Sequence, residues 1–291
     1  MILQYNYCSK NTHFRLVVSS TPSVIPRERG NDGRGEKYGK MQIRVFQKHI
    51  HTHAARQATL KKGYSHMASD RIGFRINEET VRPSPELVER VGRYSAPELC
   101  DGLIVYNAMD YHIKPMISTK KIVGPAITLK LMLGDSLLVT KALSMAKPGD
   151  VLVIDGRGSG NNALWGDHRS LVAKKLGLAG VVMDGAFRDI DENEEIGFPI
   201  FARSVTCGSS TKNSNGEINV PISCGGVVVR PGDIIVGDRN GVAVVPPEHA
   251  EEIMANAQDK VDKMRALTEA IERTGKVIPD NFADQLKKIG Y

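Results

Sequence analysis

The segment DVLVIDGRGSGNNALWGDHRSLVAKKLGLAGVVMDGAFRDID, residues 150–191, decides how the chain folds. Two short apolar runs, DVLVIDG (Asp150 to Gly156) and GVVMDG (Gly180 to Gly185), are rich in β-branched residues and both end in Asp-Gly. Between them the pattern predicts a Gly/Asn-rich loop, GRGSGNNALWG, and a helix from about Asp167 to Leu176. A strand, loop, helix, strand unit crosses over right-handed, so its strands are expected to lie parallel. Ligand sites in such units gather beyond the carboxyl ends of the strands, where both Asp-Gly turns fall. Arg188 and Asp189 follow the second turn directly.

Outward from this unit the pattern stays regular. Upstream, PSPELVERVGRYSAPELCDGL predicts two helical pieces, with Ser84-Pro85 and Ser95-Ala96-Pro97-Glu98 as their starts. A strand is expected from Val123 to Met132, and GDSLLVTKALSMAKPGD carries apolar side chains at helical intervals up to Pro148-Gly149. Downstream, GFPIFAR (Gly197 to Arg203) supplies another strand. The pieces INVPI, GVVVRPGDIIVGD and GVAVVP, separated by Gly-Gly, Pro-Gly and Asn-Gly, read as hairpins or a small barrel-like sheet. A closing helix is expected from Pro246-Pro247 to about Arg273, with Glu251 and Glu252 near its positive end. The expected organisation is a basic, poorly ordered extension over residues 1–76, one mixed α/β domain over 77–273, and a C-terminal tail over 274–291.

Composition excludes several classes. The 291 residues are 41 % hydrophobic and 25 % charged, as in a soluble globular chain. No apolar run approaches the roughly 18 residues that a membrane helix needs. Four scattered cysteines without a CxxC pair fit a reducing cytoplasm better than a disulfide scaffold. The net charge of +6 is unevenly spread: residues 1–66 hold 12 Lys/Arg against 3 Asp/Glu, so the rest of the chain is slightly acidic. That basic arm reads as a dispensable extension, an interaction tail, a targeting presequence, or sequence ahead of a start at Met67. No RNA-binding module follows it, and nucleic acid is not an expected partner.

Among chemical motifs, HExxH, P-loop, GxSxG and EF-hand patterns are all missing. GRGSG lacks the order of a dinucleotide-binding loop, and His168 is isolated. What remains is carboxylate and arginine chemistry. Asp167 opens the predicted helix, Arg188-Asp189 follow the next strand, and one helix out and one strand back could return all three to one sheet edge. Glu192 lies three residues further on. Two or three oxygen ligands without His or Cys suit Mg²⁺ or Mn²⁺. A neighbouring guanidinium can fork onto a substrate carboxylate, and backbone amides from Asn161 to Gly166 could face the same anion. This describes a site for a small 2-oxo acid. Spacing alone equally allows a helix-capping Asp167 beside a structural Arg188-Asp189 ion pair.

From about Ser95 to Pro246 the chain resembles the RraA-like family of metal-dependent 4-hydroxy-4-methyl-2-oxoglutarate / 4-carboxy-4-hydroxy-2-oxoadipate aldolases and regulators of ribonuclease E. The resemblance is carried by PELCDGL, VGPAITLK, the D-x20-R-D element of Asp167, Arg188 and Asp189, FPIFAR, INVPISCGGVVVRPGDIIVGD and GVAVVP. Members have also been labelled demethylmenaquinone methyltransferases, which fits poorly with a chain lacking a methyl-donor motif. The resemblance implies a β/β/α swivelling-domain fold with a mixed sheet, flanking helices and a C-terminal helix, assembled as homotrimers or hexamers. It makes Asp189 the metal ligand, Asp167 a ligand through water and Arg188 the clamp on pyruvate's carboxylate. The backbone of Asn162, Ala163, Leu164, Trp165 and Gly166 becomes the substrate-binding loop. Glu192 matches an acid of the aldolase members, and Asp101 a further acidic position. The implied activity is class II retro-aldol cleavage of a 4-hydroxy-2-oxo acid, with oxaloacetate decarboxylation. The alternatives are a non-catalytic regulator binding a protein such as a ribonuclease, and a Schiff-base aldolase using Lys174, Lys175 or Lys212.

Overall fold

Apolar runs that do not alternate make strands covered on both faces, and the four longest of them form the middle of the sheet. The computed structural model describes residues 73–103, 107–278 and 281–291. The basic arm over 1–66 and Met67 lie outside the described residues, which all belong to a compact unit from Lys62 to Tyr291.

In chain order the strands are β1 (Lys114–Ile117), β2 (Ile122–Leu131), β3 (Val151–Trp165), β4 (Gly180–Phe187), β5 (Ile200–Val205), β6 (Gly216–Ile218), β7 (Ile222–Cys224), β8 (Val227–Val229), β9 (Ile234–Asp238) and β10 (Gly241–Val245). The helices are α1 (Pro85–Val91), α2 (Ala96–Gly102), α3 (Leu137–Met145), α4 (Asp167–Leu176), α5 (Ile190–Ile196), α6 (Ala250–Thr274) and α7 (Phe282–Lys288).

Strands β2, β3, β4 and β5 are parallel neighbours, as the crossover argument required. Antiparallel additions make the sheet mixed: β1 on β5, β9 on the first half of β2, β10 on β9, and β6 on the last residues of β2. Residues just ahead of β1 pair with β10 through Met109 N to Val242 O (2.9 Å) and Val244 N to Asn107 O (3.1 Å). That short link nearly closes the eight-stranded sheet into a barrel.

Alternation divides the core. Leu152, Ile154, Val181 and Met183 face helices α3 and α4, while Val151, Val153, Val182 and Phe201 face β7, β8 and β9 on the inside. A third cluster packs α2 and the first turns of α6 against Ile234, Val236, Ala243 and Val245. Both predicted helix starts carry their caps. Leu87 N donates to Ser84 Oγ at 3.2 Å, and Ser95 and Glu98 form a reciprocal capping box.

Four local differences from the sequence reading have physical causes. The Gly/Asn segment is the second half of β3 and not a loop: Arg157 (φ 56°) and Gly158 (φ 68°) turn the chain out of the ladder, and pairing with β4 resumes at Ser159. INVPI is broken by Asn219 (φ 53°) into two strands. The polar segment IDENEEI, which offers only Ile190 and Ile196 as apolar residues, forms the short α5. The closing helix starts as a 3₁₀ turn at Pro247–His249 and ends at Thr274, and α7 follows within the segment read as a tail.

The start of β3 is tied down by charge. Asp150, 1 % exposed, accepts a two-bond fork from Arg82 at 2.9 and 2.8 Å and a third bond from Lys147 N at 2.7 Å. Removing one member of such a pair leaves a buried charge unpaired. Arg82→Ala is therefore expected to lower stability by about 3 kcal/mol, read from urea unfolding midpoints.

Candidate active site

The carboxyl ends of β3, β4 and β5 open onto one cavity of about 230 Å³. After β3 come Gly166 and Asp167 at the start of α4, and after β4 come Arg188 and Asp189. Segment 206–215, after β5, closes the third side with Ser209, Ser210 and Lys212. Backbone bonds lock the three together: Arg188 N to Trp165 O at 3.1 Å, Thr206 N to Phe187 O at 3.0 Å, and Ala163 N to Gly208 O at 2.8 Å. A larger apolar cleft of about 460 Å³, lined by Leu103, Val228 and Ile253, lies among other elements and contains none of these groups. Chemistry therefore selects the smaller cavity.

Asp189 is the corner of the site. It adopts a left-handed conformation (φ 63°, ψ 57°) as the residue before α5, which aspartate tolerates better than most side chains. Asn193, fully buried, holds that corner by donating from Nδ2 to Arg188 O at 2.9 Å and Asp189 O at 2.6 Å. Its Oδ1 accepts from Ser170 Oγ at 2.5 Å, and Ser170 Oγ accepts from Trp165 Nε1 at 2.8 Å. A buried polar chain thus runs beneath the site from β3 through α4 to α5.

The Asp189 carboxylate lies against Gly166. Its Oδ2 is 3.4 Å from Asp167 N and 3.3 Å from Arg188 Nε. A Cβ at position 166 would stand 2.4 Å from that oxygen, so only glycine leaves it room. Arg188 also donates from Nη1 to Ser209 Oγ at 3.1 Å, and its side chain stays 44 % exposed toward the cavity. The Asp167 carboxylate is half-buried and has no hydrogen bond or ion pair among the described residues. Behind these groups Arg169 donates to Leu164 O and to Ser136 O and Oγ. Burial, and after it the charge of Arg188, draw its pKa below the usual guanidinium value.

The spacing argument is thus met for Asp167, Arg188 and Asp189, which share one cavity with Ala163, Trp165 and Gly166. Other expected residues stand apart. Asn162 donates to Ser209 O at 2.8 Å, holding segment 206–215 in place. Leu164 is fully buried in the core beside helices α3 and α4 and does not line the cavity. Glu192 sits in the first turn of α5, exposed and outside the cavity lining, because the helical turn swings it to solvent. Asp101, on α2, pairs with Lys260 at 3.6 Å and does not line the cavity. Of the three lysines considered, only Lys212 reaches it, in company with His168. Arg169, Ser209 and Ser210 were missed. The same edge rule points to the segment after β5, but its composition, TCGSSTKNSN, marks no chemistry.

The donor set suits a hard cation. Asp167 and Asp189 supply carboxylate oxygens, one without a competing partner, and an ion that keeps several waters needs only one or two such ligands. Among the described residues no group of three or more His, Cys, Asp or Glu forms a closed metal cage.

The fold and the site together define a class: a mixed α/β domain with a carboxylate-guanidinium cavity at the carboxyl edge of its parallel strands. Within that class, the profile of the RraA-like family, described as Aldolase/RraA, matches residues 96–244. The chain belongs to this family. It is 48 % identical over 169 residues to a protein of Halalkalibacterium halodurans named "Putative 4-hydroxy-4-methyl-2-oxoglutarate aldolase", covering 58 % of this chain and 77 % of that one. An Arabidopsis thaliana protein with the same name and the number 3 is 37 % identical over 125 residues, or 43 % and 75 % of the two chains. The crystal structure of Streptomyces coelicolor RraAS2, described as an unusual member of the RNase ES inhibitor RraA protein family, superposes with a TM-score of 0.59 at 31 % identity. It covers 67 % of this chain and all of that one. No helix among the described residues is long and apolar enough to cross a membrane.

Gly166→Ala is expected to push the Asp189 carboxylate aside and to weaken Mn²⁺ binding about tenfold, as second-sphere changes at metal sites do. Titration of wild type and variant with Mn²⁺ reads this directly, and equal affinities would show that the cradle is not needed.

Proposed function

We propose that the protein is a divalent-metal-dependent aldolase that cleaves a 4-hydroxy-2-oxo acid, such as 4-hydroxy-4-methyl-2-oxoglutarate, to pyruvate and a second oxo acid, and that it also decarboxylates oxaloacetate. The observation that carries the reading is the cavity shared by Asp167, Asp189 and Arg188, an unpartnered carboxylate and a metal-competent one beside a half-exposed guanidinium. The names of the aldolase relatives support the reaction class. The proposed assembly is a homotrimer or hexamer.

Asp189 directly and Asp167 through water would hold a Mg²⁺ or Mn²⁺, which would supply Lewis-acid polarisation of the 2-oxo group. Arg188 forks onto the substrate's C1 carboxylate, with Ser209 fixing the guanidinium from behind. In the first turn of α4, where Asp167 N is spent on Asp189 and Arg169 N on Gly166 O, the His168 amide is left for the same anion. The Asp167 carboxylate takes the C4 hydroxyl proton, through a water in the cavity. The electrons of that O–H bond form the new carbonyl, the C3–C4 bond breaks, and its pair passes to C3 as the pyruvate enolate. Return of the proton to C3 completes pyruvate. Arg188 and the His168 amide stabilise the charge that develops on the enolate side, where each fixed donor is worth about 10² to 10³ in rate. Loss of CO₂ from oxaloacetate leaves the same enolate, so it makes the same demands on these residues.

A second reading, an RraA-like inhibitor of a ribonuclease, is favoured by the likeness to the Streptomyces protein and by the exposed position of Glu192 outside the cavity lining. The experiment that separates the two is pyruvate release from oxaloacetate and from 4-hydroxy-4-methyl-2-oxoglutarate with Mg²⁺ or Mn²⁺. Turnover is expected to vanish with excess chelator and in Asp189→Ala. In Arg188→Ala, kcat/KM is expected to fall by at least about 10². Turnover that survives chelation would overturn the metal-dependent route, and its complete absence with both substrates would favour the inhibitor.

A further inference from the structure

The residues that aim Arg188 are themselves held by a carboxylate outside the cavity. Segment 206–215 carries Ser209, Ser210 and Lys212 to the site, yet it contains no large apolar side chain with which to anchor itself. Its position rests on polar ties. Asp135, 1 % exposed, gathers three of them on one oxygen: Oδ2 accepts from Thr211 Oγ1 at 2.7 Å, Asn213 N at 2.8 Å and Ser214 N at 3.1 Å. Its Oδ1 accepts from Leu137 N at 2.9 Å, fixing the carboxylate to the start of α3. Two backbone bonds, Thr211 N to Gly134 O at 2.8 Å and Ser136 N to Thr211 O at 2.9 Å, set the segment alongside residues 134–136. Ser136 Oγ and Ser210 Oγ share a further bond of 2.6 Å. Two residues before Thr211, Ser209 meets Arg188. Burial works to raise the Asp135 pKa, but the four donated bonds outweigh it and hold the group below the usual carboxylate range.

We propose that Asp135, acting through Thr211, is a positioning residue for the substrate carboxylate: it fixes the segment that sets Ser209 against Arg188 and so aims the guanidinium into the cavity. Neither Asp135 nor Thr211 touches the cavity, and both act at one remove. A buried carboxylate with four donors is a rigid anchor, since each bond fixes a different atom of the segment or of α3. The inference rests on the reading of Arg188 as the carboxylate clamp, but its structural half stands independently of any reaction.

The test uses the full chain and three variants: Thr211→Val, which removes the hydroxyl at constant shape, Thr211→Ser, which keeps it, and Asp135→Asn, which weakens the acceptor. The first readout needs no ligand. Rotation of the Arg188 guanidinium about Nε–Cζ, followed by ¹⁵N NMR of its Nη atoms and identified with Arg188→Lys, is expected to speed up severalfold in Thr211→Val and Asp135→Asn and to stay at the wild-type rate in Thr211→Ser. Should Asp135→Asn fail to fold, the exposed Thr211 pair still decides the matter. The second readout is the KM for oxaloacetate, expected to rise about tenfold in Thr211→Val, the worth of one hydrogen bond, with kcat little changed and Thr211→Ser restored. Unchanged rotation in Thr211→Val, or equal acceleration in Thr211→Ser, overturns the proposal. Faster rotation in a protein that releases no pyruvate upholds the positioning and sinks the aldolase reading instead.

Discussion

Everything at the site depends on how β3 pairs with β4. Twelve residues of β3, from Ile154 to Trp165, run against only five of β4, from Met183 to Phe187. The surplus leaves the ladder at Arg157 and Gly158 and returns, so that Trp165 ends opposite Phe187. Two residues beyond that pair stand Asp167 on one side and Asp189 on the other. Had β3 kept a straight register, the chain opposite Asp189 would be the glycine-rich middle of the segment, and the two carboxylates would not share a cavity. The bulge is therefore what turns an ordinary parallel pair into a site.

Once the strand ends are aligned, a few contacts do the rest. Glycine at 166 lets the Asp189 carboxylate come close, and Asn193 holds the left-handed corner that points it there. Both are properties of the backbone path as much as of side chains. The cations are managed differently. Arg188 is left half-exposed between the Asp189 carboxylate and the Ser209 hydroxyl, whereas Arg169 is withdrawn among carbonyls and Ser136. One guanidinium is thereby free to meet an anion while the other stiffens the wall.

Much of this was legible in the chain. The βαβ unit, the capped helices and the shared edge of Asp167, Arg188 and Asp189 followed from apolar runs, cap residues and spacing, and the family from the resemblance of its motifs. Less legible was the continuation of β3 through GRGSGNNALW, because glycine and asparagine signal turns whether or not strand pairing resumes beyond them. Short α5 was hidden for a related reason: its residues are nearly all polar, and only the tertiary frame makes IDENEEI a helix. Segment 206–215 shows the same limit, since serine and threonine carry no functional signal until a buried acid is found to organise them.

The sequence by itself thus determined the main strands and helices, that β3 and β4 run parallel, and that Asp167, Arg188 and Asp189 reach their shared edge, because periodicity and spacing are local properties of the chain. Only the tertiary structure decided which of those charges meet. Asp167 and Asp189 approach through a bulge and a missing Cβ, Glu192 and Asp101 are carried away on helical turns, and Asp135 acquires its role from a segment more than seventy residues further on. Such outcomes depend on register, rotation and close approach in three dimensions, none of which a one-dimensional pattern encodes.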